Sequence, residues 1–329
     1  MNPSLRIRPA RRAELSRLAG LIRNRLPDLM KAQPATQRDN IEKNLLKLLP
    51  DESLLIAIQN RELVGMAALD LDRARLMAVY LDPKSAQAEA TRKLVRAVER
   101  HARSFGIPKL ECTVKPQAWS FMEKLGYQAT VTAGEGEPVT LARTLTEDAE
   151  DWECQVVELH KELGIPSNYG VRYRLRMVPE NADRISIGVD IFDRDIQLDR
   201  AAAEAWKAMK TDAQRSNIEL QPVSGFRTVA YQAGLIRKKV NANTPMGKIL
   251  RTSAAPGYSE HHSGRALDLT TPGASPLTAE FSMSRAYEWL KARAGMYGFH
   301  ESYPNNNRHN IDWEPWHWCY HRHVDPRTT

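Results

Sequence analysis

A single acidic residue inside an apolar run constrains this chain more than any other feature. Asp268 lies in the run Ala266-Leu267-Asp268-Leu269, which is typical of a short buried strand. Burying a carboxylate without a partner is very costly, so a fold that buries this run must supply a positive charge. A metal ion would serve, and His261 lies seven positions earlier, before Gly264. Because a catalytic zinc usually takes three protein ligands, a third ligand is expected elsewhere.

The third ligand is predicted near the end of the sequence, in Asp312-Trp313-Glu314-Pro315-Trp316-His317-Trp318. His317 completes a set of two histidines and one aspartate, and Glu314 lies three residues before it. Metal-assisted hydrolysis needs an ion that acidifies water and polarises a carbonyl, and a base that takes the proton. We therefore expect His261, Asp268 and His317 to bind Zn²⁺, and Glu314 to act as the general base without binding the ion.

These residues resemble the paired signature of the VanY-type D-alanyl-D-alanine carboxypeptidases, a family of zinc peptidases. The pattern is Ser259-x-His261-x-x-Gly264-x-Ala266-x-Asp268, followed by Glu314-x-x-His317. Further matches in family order are Pro222-Val223-Ser224-Gly225-Phe226-Arg227-Thr228, Tyr231-Gln232, Gly298-Phe299 and Ser302-Tyr303-Pro304. The resemblance covers roughly residues 185 to 323 and implies an α+β zinc peptidase domain, with a small antiparallel sheet and helices.

The resemblance also implies roles for residues beside the ligands. Arg227 is expected to stabilise the oxyanion, a contribution on the order of a hundred- to a thousandfold in rate, although a structural salt bridge is the alternative. Ser259 and Gln232 are expected to line the cleft and hold the C-terminal residue of the substrate. Apart from the resemblance, Trp316 is expected to pack over the cleft. Turn, packing or core roles are the alternatives for these three.

Three other residues near the motifs are expected to lie outside the metal site. His262 is predicted to point away from His261 on the turn. His321 shares a predicted strand face with His317 but lies further along the strand. Cys319 is predicted to be a buried thiol.

The first half of the chain predicts a separate α/β domain. Apolar patterns indicate strands near residues 5–8, 54–58, 63–69, 76–81 and 109–114, and helices near 13–26, 39–49, 88–105 and 118–125. This order resembles the GNAT acetyltransferase fold over roughly residues 4 to 145. In that family a glycine-rich loop before the central helix holds the pyrophosphate of acetyl-CoA.

Two departures from the GNAT pattern predict that acetyl transfer is lost. The loop at residues 84–91 has neither the arginine nor the glycines of the family, and Glu89 adds a negative charge. Met122 occupies the position of the family's acid tyrosine. We therefore expect a GNAT-like domain without acetyltransferase activity and without a bound cofactor. Covering the cleft, selecting the size of the muropeptide and mediating a homodimer remain open as its role.

Acidic residues between Thr146 and Glu153 mark a boundary. We predict a GNAT-like domain over residues 1–146, a joining segment over 147–182 and a zinc carboxypeptidase domain over 183–329. The joining segment is predicted to hold a helix over 152–163 and a half-buried strand over 171–178. Helices of the peptidase domain are predicted over 198–218, 228–239 and 278–297.

Charge and cysteine content bear on partners and location. The net charge of +7 divides into +8 over residues 1–146, from 24 basic and 16 acidic residues, and −1 over the rest. The arginines of the first 25 residues follow a strand-and-helix pattern, so we expect a solvated basic surface and no nucleic-acid partner. Three scattered cysteines and a charged beginning without an apolar core predict a cytoplasmic protein with reduced thiols and no membrane association.

These features predict a zinc-dependent carboxypeptidase that removes C-terminal D-alanine from peptidoglycan-derived peptides. In the cytoplasm, pentapeptide precursors must keep their terminal D-Ala-D-Ala, which favours an LD-carboxypeptidase acting on murein tetrapeptides in cell-wall recycling. The alternatives are a DD-carboxypeptidase on pentapeptides and a peptidoglycan endopeptidase. An alternative of another class is a GNAT acetyltransferase or acyl-CoA-sensing protein.

Overall fold

The chain forms two compact units, residues 1–149 and 150–329. The computed structural model describes residues 5–25, 41–82, 88–131, 134 and 136–321. Most of the predicted joining segment, from Glu150 onwards, belongs to the second unit. Within the described ranges, no helix combines the length and the apolar character needed to cross a bilayer.

The first unit is built around a seven-stranded sheet. Its strands are β1 (Arg6–Pro9), β2 (Leu54–Gln59), β3 (Glu62–Asp70), β4 (Arg75–Leu81), β5 (Lys109–Val114), β6 (Gln128–Ala129) and β7 (Val139–Thr144), in the order β1-β2-β3-β4-β5-β7-β6. Its helices are α1 (Leu15–Arg25), α2 (Ile41–Leu46), α3 (Ala88–Ser104) and α4 (Pro116–Glu123). The pairing of β4 with β5 is parallel, because α3 carries the chain back across the sheet between them.

The predicted elements of the first unit are confirmed where they fall on described residues. The central helix begins at Ala88, whereas residues 84–87 of the predicted phosphate loop lie outside the described residues. The same holds for residue 26 and residues 39–40 at the ends of two predicted helices. Met122 is buried in α4.

The second unit confirms the α+β prediction. Its helices are α5 (Asp151–Leu163), α6 (Tyr169–Tyr173), α7 (Arg200–Arg215), α8 (Val229–Asn241), α9 (Met246–Thr252) and α10 (Arg285–Arg293). A hairpin joins β8 (Arg184–Val189) and β9 (Asp195–Asp199), and an antiparallel sheet of order β10-β11-β13-β12 contains β10 (Gln221–Ser224), β11 (Ala266–Thr270), β12 (Phe299–Glu301) and β13 (His317–Tyr320).

Side chains alternate between the two faces of this sheet, so that one face packs into the core and the other is polar. Leu267, Leu269 and Trp318 are buried in one hydrophobic cluster with Trp206 and Met209 of α7. Because successive side chains of a strand point to opposite faces, Asp268 and His317 emerge on the face away from that cluster. The sheet thus buries apolar residues on one side and presents the predicted ligands on the other.

The strand predicted over residues 171–178 is wrong. Residues 169–173 form α6, and Arg174 ends it in a left-handed conformation with φ 52°. Tyr169 and Tyr173 are both buried, and their rings stack with centroids 4.5 Å apart. Residues four apart share a helix face, so packing of these two tyrosines outweighs the alternating pattern of the segment.

The single helix predicted over residues 278–297 is divided into three pieces. Short 3₁₀ turns at Ala279–Met283 and Ala294–Tyr297 flank α10. Ser284 is extended, with φ −87° and ψ 151°, and its hydroxyl accepts a hydrogen bond from the Tyr287 amide. A serine at this position favours a new helix start, which the apolar spacing alone does not reveal.

Candidate active site

Register between three strands brings distant parts of the chain together. Ser224 at the end of β10 pairs with Asp268 in β11, and Asp268 pairs with His317 in β13. Directly opposed residues of antiparallel strands have their side chains side by side. His317 Nδ1 therefore lies 3.0 Å from Asp268 Oδ1.

His261 reaches the same point from a turn that crosses this face of the sheet. The 3₁₀ turn Glu260–Ser263 ends at Gly264, with φ 68°. A Cβ at Gly264 would lie 2.8 Å from the Asp199 amide nitrogen, so only glycine fits this close approach. The turn places His261 Nε2 3.3 Å from Asp268 Oδ2.

The hydrogen bonds of both histidines leave one ring nitrogen of each directed at Asp268. His261 Nδ1 lies 2.6 Å from the Gly225 carbonyl oxygen and must donate to it, which leaves Nε2 with a lone pair. His317 Nε2 lies 2.9 Å from the Glu260 carboxylate and donates to it, and Nδ1 faces Asp268 Oδ1, so a metal ion bound at Nδ1 would take the place of its proton. Such partners orient histidine ligands in metal sites.

The donor set of His261, Asp268 and His317 fits a zinc ion. Their ligand atoms lie within 4.8 Å of one another, and all three residues are buried. Two imidazole nitrogens and one carboxylate oxygen are donors that zinc accepts, with a fourth position open. The chemistry of these donors therefore supports the predicted ligand set, which remains a prediction.

Burial and neighbouring charges shift the pKa values of all three predicted ligands. Burial raises the pKa of Asp268, but the neighbouring His261 and Arg227 outweigh it, so the pKa lies well below the usual range. Burial, together with Arg227, lowers the pKa of His261 to about 4. Burial would lower the pKa of His317 as well, yet hydrogen bonds to Asp268 and Glu260 raise it to about 10. Two carboxylates around His317 therefore hold a positive charge between them.

Glu314 lies in the same cavity and is half-buried. Burial raises its pKa to about 7, and the negative charges of Asp268 and Glu260 add to the effect against the opposing influence of His317 and Arg227. Among the described residues, none donates a hydrogen bond to its carboxylate. A carboxylate that titrates near neutrality can accept a proton from water and release it again.

Arg227 forms the structural salt bridge that was predicted as its alternative role. Its guanidinium donates to Asp268 Oδ2 at 2.5 Å and to Ser224 Oγ at 2.8 Å. Of its five N–H donors, these bonds use two. The side chain is thus held beside the predicted metal ligands and still has donors for a ligand.

The predicted substrate-binding residues line one cavity of about 440 Å³ with the predicted ligands. Gln232 is buried, and its Nε2 donates to the Ala254 carbonyl at 2.8 Å, while its Oε1 has no partner within the described part of the chain. Ser259 is buried, and Trp316 is half-buried at the cavity wall. Gln232 thus presents an unpaired acceptor that a peptide N–H of a ligand could satisfy.

His262 is buried away from the ligand set. Its Nδ1 lies 2.7 Å from the Arg227 carbonyl oxygen, and its Nε2 accepts from the Gly257 amide at 3.0 Å. These bonds tie the turn of His261 to the segment of Arg227. The imidazole therefore has a structural role, in agreement with its exclusion from the predicted ligands.

Sequence reasoning missed two charged residues of the site. Lys239 lines the cavity, where its ammonium donates to Thr252 Oγ1 at 3.1 Å and Ser253 Oγ at 2.6 Å. Its position two helical turns after Gln232 was the available signal, since both lie on one face of α8. Glu260 orients His317 through a hydrogen bond. Its position next to His261 in the sequence does not indicate this contact.

Two family models match separate parts of the chain. Residues 195–323 match the VanY family of D-alanyl-D-alanine carboxypeptidases, and residues 26–142 match the acetyltransferase (GNAT) domain. The chain therefore carries a VanY-family domain in its second half and a GNAT-family domain in its first. Both resemblances expected from the motifs are confirmed.

Two curated relatives and one solved structure are similar to part of the chain. YodJ of Bacillus subtilis (strain 168), named as a carboxypeptidase, is 29% identical over 169 residues, which cover 49% of this chain and 58% of YodJ. A D-alanyl-D-alanine carboxypeptidase of Enterococcus faecalis (strain ATCC 700802 / V583) is 25% identical, over 58% of this chain and 67% of the relative. The solved structure of the LD-carboxypeptidase LdcB is 29% identical, with a TM-score of 0.40 over 43% of this chain and 69% of that one.

Proposed function

We propose that the second unit is a zinc-dependent carboxypeptidase that removes C-terminal D-alanine from peptidoglycan-derived peptides. The observation that carries the proposal is the convergence of His261, Asp268 and His317 with Glu314 and Arg227 around one cavity. Membership of residues 195–323 in the VanY family supports the reaction class. Ligands, base and oxyanion donor are the parts that hydrolysis of an amide requires.

His261, Asp268 and His317 would hold the zinc ion. When bound, zinc supplies a Lewis acid that polarises the scissile carbonyl and lowers the pKa of the attacking water. The hydrogen bonds to the Gly225 carbonyl and to Glu260 keep both imidazoles in the tautomers that this binding needs.

Glu314 is the proposed general base. It would take a proton from the attacking water and pass it to the nitrogen of the leaving D-alanine, which departs as an amine. Since the pKa of its carboxyl group is raised to about 7 by burial, one group can perform both transfers near neutral pH. Arg227 would donate to the oxyanion of the tetrahedral intermediate.

The remaining cavity residues would orient the peptide. The unpaired Gln232 Oε1 is an acceptor for a peptide N–H, and the Ser259 hydroxyl can donate or accept. Lys239 is the cation suited to a substrate carboxylate, because it lines the same cavity as Glu314 and Arg227. These three would select a peptide that ends in a free carboxylate.

We further propose the LD bond of murein tetrapeptides as the preferred substrate, on the expectation of a cytoplasmic location, where the DD bond of precursors must survive. Purified protein loaded with zinc is offered tetrapeptide and pentapeptide separately, and released D-alanine is measured. Release from the tetrapeptide supports the LD preference, and release from the pentapeptide alone contradicts it. Release from neither peptide contradicts the carboxypeptidase proposal, and solubilisation of intact wall would favour an endopeptidase.

A matched pair of variants separates chemistry from folding in this assay. Glu314→Gln is expected to retain zinc and lose turnover, whereas Glu280→Gln, at an exposed position, is expected to retain both. Equal turnover in the two variants would refute the assignment of Glu314.

For the first unit, we propose a GNAT-family domain that no longer transfers acetyl groups. Met122 is buried in α4 and offers a thioether where acid catalysis needs a proton donor. Calorimetry with acetyl-CoA tests this proposal, because absence of binding heat is expected. Saturable binding accompanied by acetyl transfer to an amine would refute it and favour the acetyltransferase alternative.

A further inference from the structure

A second cluster of metal-type donors lies beside the predicted zinc ligands. In the extended segment that contains β13, His317, Cys319 and His321 alternate onto one face, and the His321 amide continues the ladder by donating to the Gly298 carbonyl at 2.8 Å. Glu260 projects from the turn across this face. The donor atoms of Glu260, Cys319 and His321 lie within 4.8 Å of one another, and none of the three belongs to the predicted catalytic set.

The spacing of these donors is close to what a metal ion requires. Around a tetrahedral zinc, neighbouring nitrogen, oxygen and sulfur ligands lie about 3.3 to 3.8 Å apart. Side-chain rotations that move each donor by about an ångström would close the set around an ion. Cys319 is buried, Glu260 is half-buried and His321 is exposed, so solvent reaches the cluster on the His321 side.

The Glu260 carboxylate has coordination capacity left for a cation at this cluster. In the described part of the chain, the one ion-pair partner of Glu260 is His317, with 2.9 Å between Nε2 and the carboxylate. No lysine or arginine of the described residues forms an ion pair with this carboxylate. A carboxylate has two oxygens that accept about four hydrogen bonds or ligands, so Glu260 can hold His317 and still present an oxygen to Cys319 and His321.

We propose that Glu260, Cys319 and His321 form a second metal site, which takes a thiophilic divalent ion such as zinc, cobalt or cadmium. One sulfur, one nitrogen and one oxygen donor match these ions, whereas magnesium and calcium prefer oxygen donors alone. On binding, the Cys319 thiol releases its proton to solvent and coordinates as thiolate. The fourth position remains with water.

Glu260 couples this second site to the predicted catalytic ligands. An ion bound at Glu260 draws negative charge away from the hydrogen bond to His317, and such partners tune the affinity of the ligand they orient by about 10- to 100-fold. The second ion is therefore inhibitory. This consequence rests on the proposed peptidase function, whereas the site itself does not.

Cobalt spectroscopy of the full chain tests the site without measuring turnover. Metal-free protein is titrated with Co²⁺ while the thiolate-to-cobalt charge-transfer absorbance in the near ultraviolet is recorded. Cobalt bound by His261, Asp268 and His317 should give no such band, because this set includes no thiolate. Cobalt bound by Glu260, Cys319 and His321 should produce the band by the second equivalent, and added zinc should abolish it.

Two cysteine variants assign the band. Cys319→Ser should bind one equivalent of cobalt and show no thiolate band, while Cys154→Ser, at an exposed position of α5, should behave as the unmodified chain. If serine at the buried position prevents folding, His321→Asn serves instead, and it should weaken the second cobalt site at least about tenfold.

The outcomes separate this inference from the proposed function. Absence of a thiolate band at saturating cobalt, or a band that persists in Cys319→Ser, overturns the second site whether or not D-alanine is released. A correct band in a protein that cleaves no peptide upholds the second site and contradicts the peptidase. Inhibition of D-alanine release by excess zinc in the unmodified chain, relieved in Cys319→Ser, supports the coupling, and unrelieved inhibition contradicts it.

Discussion

Replacing Glu314 with glutamine should increase stability and abolish catalysis, with a pH dependence that identifies the cause. The carboxyl group is half-buried, and burial raises its pKa from 4.5 to about 7. In the unfolded chain the group ionises near its ordinary value, so the folded protein holds this proton more tightly. Ionisation in the folded state therefore costs stability, and that cost develops as pH rises from about 4.5 to about 7.

The size of the effect follows from the difference between the two pKa values. It corresponds to about 3 kcal/mol, and partial exposure of the side chain reduces this to about 1–2 kcal/mol. Glutamine carries no charge, and the Glu314 carboxylate accepts no hydrogen bond from the described residues that the variant would forfeit. Above about pH 7, Glu314→Gln should therefore melt about 2–8 °C higher than the unmodified chain, with no gain below about pH 4.5.

Differential scanning calorimetry of metal-free protein measures this difference, with a chelator present so that metal binding does not contribute. Scans at about pH 5 and pH 8 compare the unmodified chain, Glu314→Gln and Glu280→Gln. The gain should be larger at pH 8 for Glu314→Gln, whereas Glu280→Gln should show none. With zinc restored, Glu314→Gln should lose about a hundred- to ten-thousandfold in kcat.

Two results would refute this reasoning. A stability difference that does not change between pH 5 and pH 8 would show that burial does not perturb Glu314. A variant that keeps its turnover would show that Glu314 is not the base, even if the stability gain is present.

Three other changes test the remaining parts of the site. Chelation of metal should abolish D-alanine release and lower the melting temperature. Zinc at about 100 times its dissociation constant should restore about 2.7 kcal/mol of stability. Retained activity in chelator would refute a metal-dependent reaction. Arg227→Lys should lower kcat by about a hundred- to a thousandfold, measured at saturating peptide, and an effect on stability alone would leave Arg227 a structural role. Lys239→Met should raise KM by about ten- to a hundredfold for peptides with a free terminal carboxylate but not for the corresponding peptide amides. The control is Lys238→Met, at an exposed position. Equal effects on the free peptides and their amides would contradict carboxylate recognition.

The apolar pattern of a segment predicted its secondary structure correctly where a single helix or strand pattern dominated. Strands β2 and β3 follow their continuous apolar runs, because consecutive residues are buried on both faces of the sheet. Helix α3 follows its apolar spacing, because it buries one apolar face. The pattern failed at residues 171–178, where buried stacking of Tyr169 and Tyr173 favours a helix. It failed again at Ser284, where a side-chain cap starts a new helix inside an apolar repeat.

Motif spacing identified the candidate residues but not their surroundings. Glu260 was missed because its position next to His261 does not indicate a contact with His317. Lys239 was missed although its spacing from Gln232 places both on one face of a helix. Each is held by hydrogen bonds to residues of other segments. Lys239 bonds to Thr252 and Ser253, and Glu260 bonds to His317.

The sequence by itself determined which donors are present and which reaction class they suit, because residue type and spacing are chemical facts of the chain. The buried carboxylate of Asp268 already demanded a cation before any partner was known. Only the tertiary structure decided that β10, β11 and β13 pair so that this carboxylate lies between His261 and His317. It also decided the proton affinity of Glu314, because burial and the charges around a group are properties of the folded chain and not of its order of residues.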